Sequence, residues 1–181
     1  MLDTGIIRRI DELGRVVVPK EIRKKLKIHE GDPLEIYTDG SDLILKKYSP
    51  MTEQGVFIEA VADGLSELTG VTCIVCDSSS IIYSSAVRYK GLIGREVSIE
   101  LLEIMKNRQS MNFSKIDGGK TLPIALDFNG EVVNQVVVPI IDRGDCYGAV
   151  VLLDNNQNRK LSIIEVKLAE LSARCLAKQF E

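Results

Sequence analysis

The stretch TGIIRRIDELGRVVVPKEIR, residues 4–23, sets the architecture of the first 50 residues of this 181-residue chain. Ile6–Ile10 and Arg15–Val18 are short runs rich in β-branched residues. Between them lies Asp11–Gly14, which has the composition of a turn closed by a glycine. This pattern predicts two short β-segments joined by a tight turn.

A short basic helix is predicted directly after the second segment. Pro19 suits the first helical turn, where its missing N–H costs nothing, so the helix is expected to run from about Pro19 to Lys27. Gly31 and Pro33 would end it. At about 100° per residue, Ile22 and Leu26 share one side. The opposite side carries the basic residues Lys20, Arg23, Lys24 and Lys27.

A second strand pair follows, over Leu34–Thr38 and Leu43–Lys47, because Asp39-Gly40 between them is a typical hairpin turn. The first 50 residues are therefore expected to have the order β-β-α-β-β. A unit of about 50 residues buries too little area to be comfortably stable alone. We therefore predict that it folds as an intertwined or tightly packed dimer.

The positive charge of the chain is concentrated in this part. The formal net charge is −3 for the whole chain, but residues 8–27 contain eight basic and three acidic side chains. A partner responds to the local field more than to the total charge, so this patch favours a polyanion such as DNA. A solvated charged face with no partner is the alternative interpretation.

Residues 4–23, with EGDPLEI at 30–36 and ILKKY at 44–48, resemble the AbrB-type DNA-binding domain. In that family two chains interleave their hairpins into a swapped-hairpin β-barrel, and arginines on loops and helix contact DNA. The resemblance implies a dimeric domain over residues 1–50 that binds double-stranded DNA. The contacts it implies are Arg8, Arg15, Arg23 and Lys24, with Arg9 and Lys20 in support.

Lys24 departs from this family, which frequently has Arg-Arg where this chain has Arg23-Lys24. A lysine neutralises a phosphate but cannot make a two-pronged contact to guanine. We therefore assign Lys24 to positioning on the DNA backbone, and any base reading to Arg8, Arg15 and Arg23.

Residues 53–181 have the pattern of a second domain, with helices covering one sheet, so the fold class is α+β. The first helix of this part is predicted from Pro50 to Leu68, with Ser49 as its cap and Gly70 as its stop. A second helix is predicted over 98–108, and a third begins at a capping box, Ser162–Glu165. Strands are predicted over 71–77, 81–83, 122–128, 132–141 (after a turn at Asn129-Gly130) and 148–153. The apolar stripes are Phe57, Val61, Leu65 and Leu68 on the first helix, and Ile164, Leu168, Leu171 and Cys175 on the last.

The motifs VPII at 138–141, DRGD at 142–145 and GAVVL at 148–152, followed by the closing helix, resemble a GAF domain over residues 53–181. The resemblance implies a sensor and oligomerisation domain with one antiparallel sheet and flanking helices. Whether it binds an unidentified small-molecule ligand stays open. The flanking helices, near 53–68 and 162–180, are predicted to join dimers into a homotetramer.

Catalysis and metal binding are not predicted. The chain has one histidine, His29. Cys73 and Cys76 are three apart on a predicted strand, so they point to opposite faces, and no second pair completes a zinc site. Cys146 and Cys175 are interpreted as packing residues. We therefore predict no enzyme, no metal and no cofactor.

Two further features allow either a functional or a purely structural interpretation. Gly118-Gly119-Lys120-Thr121 has the last letters of a phosphate loop, but Ser114 stands where the first glycine is required, so we interpret it as a turn. Tyr83, Arg88 and Tyr89 are candidates for a ligand cleft, with simple packing or surface exposure as the alternative.

The leading hypothesis is a sequence-tolerant DNA-binding transcription regulator. The two halves together resemble a family of sporulation regulators, which implies control of late forespore gene expression by activation or repression. The alternative is an AbrB-type antitoxin, and a third class is a cysteine-based reductase on a GAF fold. No apolar run is long enough to span a membrane and no signal peptide is recognisable, so a cytoplasmic location is expected.

Overall fold

The computed structural model describes residues 5–26, 28, 30, 34–48, 50–116, 118–128 and 130–180. Contacts between residues divide the chain into unit 1, residues 1–48, and unit 2, residues 49–181. Some residues that carried sequence predictions lie outside the described part: Thr4, Lys27, His29, Gly31, Pro33, Ser49 and Asn129.

The described residues of unit 1 form one short helix and one hairpin. The helix α1 spans Lys20–Leu26, and the strands β1, Leu34–Asp39, and β2, Asp42–Lys47, pair in antiparallel register. Gly40 in the turn has a φ of 57°, in the left-handed region that glycine adopts without strain. The hairpin predicted from Asp39-Gly40 is confirmed.

The prediction of strands over residues 6–10 and 15–18 is wrong for the single chain. Both segments lack regular secondary structure and flank a turn at residues 12–14. A strand exists only through hydrogen bonds to a neighbouring strand. Among the described strands of this chain, none pairs with either segment.

Unit 2 is built on one antiparallel sheet of five strands in the order β4-β3-β7-β6-β5. The two longest strands, β6 and β7, lie next to each other, so the sheet has a long buried centre and shorter edges. The strands span Thr72–Asp77 (β3), Ile81–Ser84 (β4), Met111–Ser114 (β5), Asn134–Asp142 (β6) and Asp145–Asp154 (β7).

Four α-helices accompany the sheet: α2, Pro50–Glu53, α3, Gly55–Thr69, α4, Ile99–Asn107, and α5, Ile163–Ala177. A short 3-10 helix spans Val87–Leu92. The capping box at Ser162 is confirmed, since the Glu165 carboxylate accepts from the Ser162 amide at 2.7 Å. Gly70 ends α3 with a φ of 69°, as predicted.

The sheet separates two apolar layers, because side chains alternate between its faces. One layer lies under α3 and α5, and the other lies under α4 and the 3-10 helix. Adjacent residues of β7 illustrate the alternation: Leu152 belongs to the first layer and Val151 to the second, and both are fully buried.

The apolar stripes predicted on the flanking helices are buried only in part: Leu65 is in the core and Phe57, Val61 and Leu168 pack against it, but the remaining members are exposed. On α5, Ile164 and Leu171 are 65% and 59% exposed, and Cys175 is exposed. The buried residues of α5 are instead Ala169, Ala173, Leu176 and Ala177. Small side chains let a helix approach its neighbours closely, and α5 packs on β6, β7 and α3.

The first long helix also differs from the prediction. It is interrupted at Gln54, so α2 and α3 are separate elements. Leu65 is buried as expected, but Leu68 is 76% exposed. The core face of α3 is made by Ile58, Ala62, Leu65 and Thr69.

The predicted strand over 122–128 is wrong, and the edge strand is β5, which the sequence analysis missed. Residues 122–128 make one isolated bridge, from Ala125 to Val97. Pro123 has no N–H to give to a ladder. The backbone of Leu122 bonds instead to the fully buried Gln135 side chain, at 2.8 and 3.2 Å.

Candidate nucleic-acid interface

The cationic residues predicted to bind DNA all lie in unit 1, in or near three local structures. Arg8 and Arg9 are exposed in the irregular segment before the turn. Arg8 makes a local bond, from its guanidinium to the Ile7 carbonyl at 3.2 Å. Such a bond to the adjacent residue leaves the side chain at the surface.

Asp11 organises the turn that carries Arg15. Its carboxylate accepts from the Leu13 amide at 3.0 Å, from the Arg15 amide at 2.8 Å and from the Arg15 guanidinium at 2.8 Å. The amide and guanidinium of Arg15 hold the pKa of Asp11 below its ordinary value. Arg15 uses Nε in this ion pair while its side chain stays 70% exposed, so its two terminal nitrogens are not needed for the bond.

The helix α1 carries the other three cations. Lys20 and Lys24 are exposed, as a contact with a polyanion requires. Arg23 is half-buried, and its Nε is enclosed with no hydrogen-bond partner among the described residues. Sequence spacing placed Arg23 with the lysines on one side and did not indicate this partial burial.

The described residues of unit 1 form no buried apolar core. Among the described residues before Met51, no large apolar side chain is buried. Ile7, Val17 and Leu43 are 86%, 73% and 62% exposed. Single exposed apolar residues are ordinary, but several of them on one small unit are a feature that interaction surfaces share.

Candidate ligand residues of unit 2 are engaged in packing or local bonds. Tyr89 is buried with its ring 6.0 Å from that of Phe128, and the Arg88 guanidinium lies over the Tyr89 ring. Tyr83 donates its hydroxyl to Asp63 at 2.9 Å. Partial burial and this bond raise the pKa of Tyr83 to about 12.

Three of the cysteines of unit 2, Cys73, Cys76 and Cys146, fit the sequence interpretation, whereas Cys175, interpreted as a packing residue, is exposed. Cys73 lies in the layer under α3 and α5 and Cys76 in the opposite layer, so they are on different faces of β3. Burial raises the pKa of Cys73 to about 12, and it raises the pKa values of Cys76 and Cys146 as well.

In the part of the chain that the structure describes, no cluster of His, Cys, Asp or Glu is suited to hold a metal ion, and no helix is long and apolar enough to cross a bilayer.

Comparison with known proteins identifies both halves. The family described as stage V sporulation protein T C-terminal, transcription factor, matches residues 53–181. Over 182 aligned positions the chain is 40% identical to stage V sporulation protein T of Bacillus subtilis (strain 168), covering 100% of this chain and 99% of that protein. The chain belongs to the stage V sporulation protein T family.

The N-terminal part has relatives outside this family. It is 60% identical over 50 residues to the transition state regulatory protein AbrB of the same strain, covering 28% of this chain and 52% of AbrB. The family described as antidote-toxin recognition MazE, bacterial antitoxin, matches residues 7–53. The AbrB-type resemblance predicted from residues 4–48 is confirmed.

Unit 2 has the GAF-like fold that the sequence predicted. The GAF domain of a phosphoenolpyruvate-protein phosphotransferase from Acinetobacter superposes with a TM-score of 0.58, covering 75% of this chain and 84% of that chain. The sequence identity is 11%, so this likeness concerns the fold alone.

Proposed function

We propose that this chain is a cytoplasmic, sequence-tolerant DNA-binding regulator of transcription during sporulation, acting on late forespore genes as activator or repressor. Residues 1–50 are the DNA-binding domain, and residues 53–181 regulate or assemble it. The observation that carries the proposal is the group of exposed cations on a unit that is 60% identical to part of AbrB. In a chain of net charge −3, such a patch is a local electrostatic feature suited to DNA.

The proposed DNA contacts are Arg8, Arg9, Arg15, Lys20, Arg23 and Lys24. The lysines contact phosphates, and Arg8, Arg15 and Arg23 are the residues able to make two-pronged contacts to base edges. For Arg15, the bond to Asp11 supports this role, because it holds the guanidinium at Nε while the side chain stays at the surface. A restrained arginine loses less conformational freedom on binding.

Homodimerisation through unit 1 is part of the proposal. It is supported by the exposed apolar residues of unit 1 and by the unpaired segments 6–10 and 15–18, which are strand-like in composition. A second copy would give these segments a ladder partner and bury their apolar side chains. It would also place two sets of cations on one DNA-binding surface.

Assembly of dimers into tetramers through unit 2 is proposed on similar grounds. Val56 and Leu68 of α3 are 85% and 76% exposed, and Ile163 of α5 is 66% exposed. These exposed apolar residues of the flanking helices fit the predicted contacts between subunits. Native mass spectrometry of the protein purified from its own source would report the number of subunits and any retained small molecule.

The salt dependence of DNA binding tests the role of the basic residues. The affinity of the full-length protein for a duplex should fall steeply between about 50 and 200 mM salt, because each neutralised phosphate releases condensed counterions. Arg15→Gln should make the log–log slope shallower by about 0.9 for each phosphate that the variant no longer neutralises. Fluorescence anisotropy with a labelled duplex measures both.

Asp11→Asn is the matched control, because it removes the charge of the same ion pair and retains Arg15. Its slope should equal that of the wild type or exceed it. Binding that is insensitive to salt, or an Arg15→Gln slope identical to wild type, would show that the basic surface of unit 1 does not bind DNA through phosphates.

An antitoxin is the second candidate, because the antitoxin family matches residues 7–53. That match ends with α2, the first helix of unit 2, and a five-stranded domain with two apolar layers follows it. Antitoxins of this type would carry a flexible toxin-binding tail instead. Co-purification of a small toxic protein would reverse the ranking.

The proposal assigns no catalytic activity. A cysteine-based reductase needs a thiolate of lowered pKa. Burial raises the pKa values of Cys73, Cys76 and Cys146 instead. Rapid reaction of these three thiols in the native protein with a thiol reagent at neutral pH would contradict this assignment.

A further inference from the structure

The Asp11 carboxylate divides its two oxygens between the backbone and a side chain. Oδ1 accepts from the backbone amides of Leu13 and Arg15 at 3.0 and 2.8 Å. Oδ2 accepts from the Arg15 Nε at 2.8 Å. One residue therefore holds both the turn at residues 11–15 and the side chain of the arginine that follows it.

The turn is also closed by backbone bonds that do not involve the carboxylate. The Asp11 amide donates to the Arg15 carbonyl at 3.0 Å, and the Gly14 amide donates to the Asp11 carbonyl at 3.0 Å. Gly14 has a φ of 75°, in the left-handed region that glycine adopts without strain. The bond from Oδ2 to Arg15 is therefore additional to a closed turn, and its main effect is on the guanidinium.

The same bond restricts how Arg15 can approach another molecule. A guanidinium makes a two-pronged contact either through its two terminal nitrogens or through Nε and one terminal nitrogen. Because the Nε–H is bonded to Asp11, the two terminal nitrogens are the pair that remains. The Arg15 side chain is 70% exposed, so a partner can reach it end-on. An arginine held in this way loses less entropy on binding.

The ion pair itself contributes little to stability, because both side chains are exposed, Arg15 at 70% and Asp11 at 44%. The amide and guanidinium of Arg15 lower the pKa of Asp11, so the carboxylate is charged at neutral pH. The consequences of the pair are therefore expected in binding more than in folding.

Asp11 also places a negative charge on the surface that we propose to bind DNA. Residues 8–15 contain three arginines and two carboxylates, Asp11 and Glu12, so two of the three positive charges are offset. A carboxylate weakens the sequence-independent part of binding, which depends on the attraction to phosphates. Contact with base edges depends on orientation instead, and repulsion of an unwanted partner is a common source of specificity.

We propose that Asp11 is a selectivity residue of the DNA-binding surface. It holds Arg15 end-on for a two-pronged contact to a base edge, above all the O6 and N7 of guanine, and it weakens binding to DNA that offers phosphates alone. Arg15 makes the contact, and Asp11 acts through it as a positioning residue. This inference rests on the proposed DNA-binding function.

A comparison of two duplexes with the full-length protein tests this proposal. The first duplex is selected from a random pool by the wild type, and the second has the same length and base composition in scrambled order. Asp11→Asn retains an oxygen for the two backbone amides and replaces the acceptor of the Arg15 bond by an NH2 group. We expect the ratio of the two affinities to fall at least about fivefold, with the scrambled duplex bound more tightly than by the wild type. Fluorescence anisotropy at fixed salt measures both affinities.

Glu12→Gln is the matched control. Glu12 is an exposed carboxylate of the same turn, whereas the Arg15 guanidinium is bonded to Asp11. Removing the Glu12 charge should tighten binding to both duplexes by a similar factor and leave their ratio unchanged. This separates loss of a negative charge from loss of the bond that orients Arg15.

Arg15→Lys is a second variant, which leaves Asp11 and its bonds to the backbone in place. Lysine retains the charge but cannot make the two-pronged contact, so the ratio should fall while the salt slope stays that of the wild type. The double variant Asp11→Asn/Arg15→Lys should lose no more selectivity than Arg15→Lys alone, because Asp11 acts through Arg15. Circular dichroism reports whether each variant is folded.

Three results would overturn the proposal: a ratio that Asp11→Asn or Arg15→Lys leaves unchanged, an equal fall in Glu12→Gln, or a further loss in the double variant. A wild type that prefers neither duplex would also overturn it, although DNA binding would stand. Failure of the proposed function has a different result, because neither duplex would then bind with an affinity that falls with salt.

Discussion

The two units of this chain differ in how far their apolar residues are buried. In unit 2, Ile74, Val151 and Leu152 are fully buried between a sheet and its helices. In unit 1, Ile7 and Val17 are 86% and 73% exposed. Burial of apolar surface is the main favourable term in folding, so the core of unit 2 accounts for its stability, and the exposed apolar residues of unit 1 support the proposed dimer.

The comparison also explains where function is expected. A unit that is completed by a second copy presents its polar and charged residues in pairs, which suits a symmetric duplex. A unit with a finished core presents functional residues at its edges and loops. In the proposed dimer, the exposed cations of unit 1 correspond to the first of these situations.

The largest effect is expected from Leu152→Ala in β7. Removing a fully buried leucine side chain should lower the free energy of unfolding of unit 2 by about 2–5 kcal/mol, because it loses transfer free energy and leaves a cavity. Urea denaturation followed by circular dichroism measures it. Val87→Ala, at an 81% exposed position, should change stability by less than about 0.5 kcal/mol. Equal costs for the two variants would mean that the core of unit 2 is not organised as described.

A smaller effect is expected from a charge placed on the apolar surface of unit 1. Ile7→Asp should weaken self-association of the full chain at least tenfold, about 1.4 kcal/mol, because a carboxylate would have to be buried against the second copy. Sedimentation velocity over a range of concentrations measures this change, and Val17→Asp provides an independent test. Val87→Asp in unit 2 is the control and should sediment as the wild type does. If both unit 1 variants behaved like the control, the contrast between the units would not reflect dimerisation.

The smallest effect concerns Asp11. Its folded-state pKa lies below the ordinary value of 3.8, so the carboxylate stabilises unit 1 above that pH. This stabilisation is lost as the pH falls through the lowered pKa. Carbon-13 NMR of the side-chain carboxyl should show the low pKa in the wild type and a return towards 3.8 in Arg15→Gln.

Glu165 is the internal control in unit 2, where the Ser162 side chain, first among several bonds, lowers the pKa of the glutamate. Its titration should not respond to Arg15→Gln. The backbone amide of residue 15, which is the largest cause of the lowered pKa, is retained in that variant, so an unchanged Asp11 titration would show that the Arg15 guanidinium does not contribute to the shift.

The predictions that succeeded from the sequence depend on neighbours in the chain. The hairpin at Asp39-Gly40 and the capping box at Ser162–Glu165 involve residues at most a few positions apart. The opposite orientation of Cys73 and Cys76 follows from strand geometry alone. The basic stretch of residues 8–27 was likewise visible as composition, and with the AbrB-type motifs it indicated the candidate DNA-binding residues.

The predictions that failed depend on what a segment packs against. The last helix has two apolar stripes, and periodicity alone cannot say that Ala169 and Ala173 face the sheet while Ile164 and Leu171 face solvent. β5 was missed because its partner, β6, supplies the ladder from a distant part of the chain. A cavity beside it, lined in part by Lys120 and Lys160, gave no sequence pattern, since these two lysines are 40 positions apart.

The sequence by itself determined the fold class, the local turns and caps, the concentration of positive charge and the family. These properties are encoded in short-range patterns and composition, which act before distant segments meet. Only the tertiary structure decided which stripes are buried, that the described residues of unit 1 form no buried core, and that Lys120 and Lys160 line one cavity. The physical reason is that burial is a property of pairs of surfaces, and the chain must fold before those pairs exist.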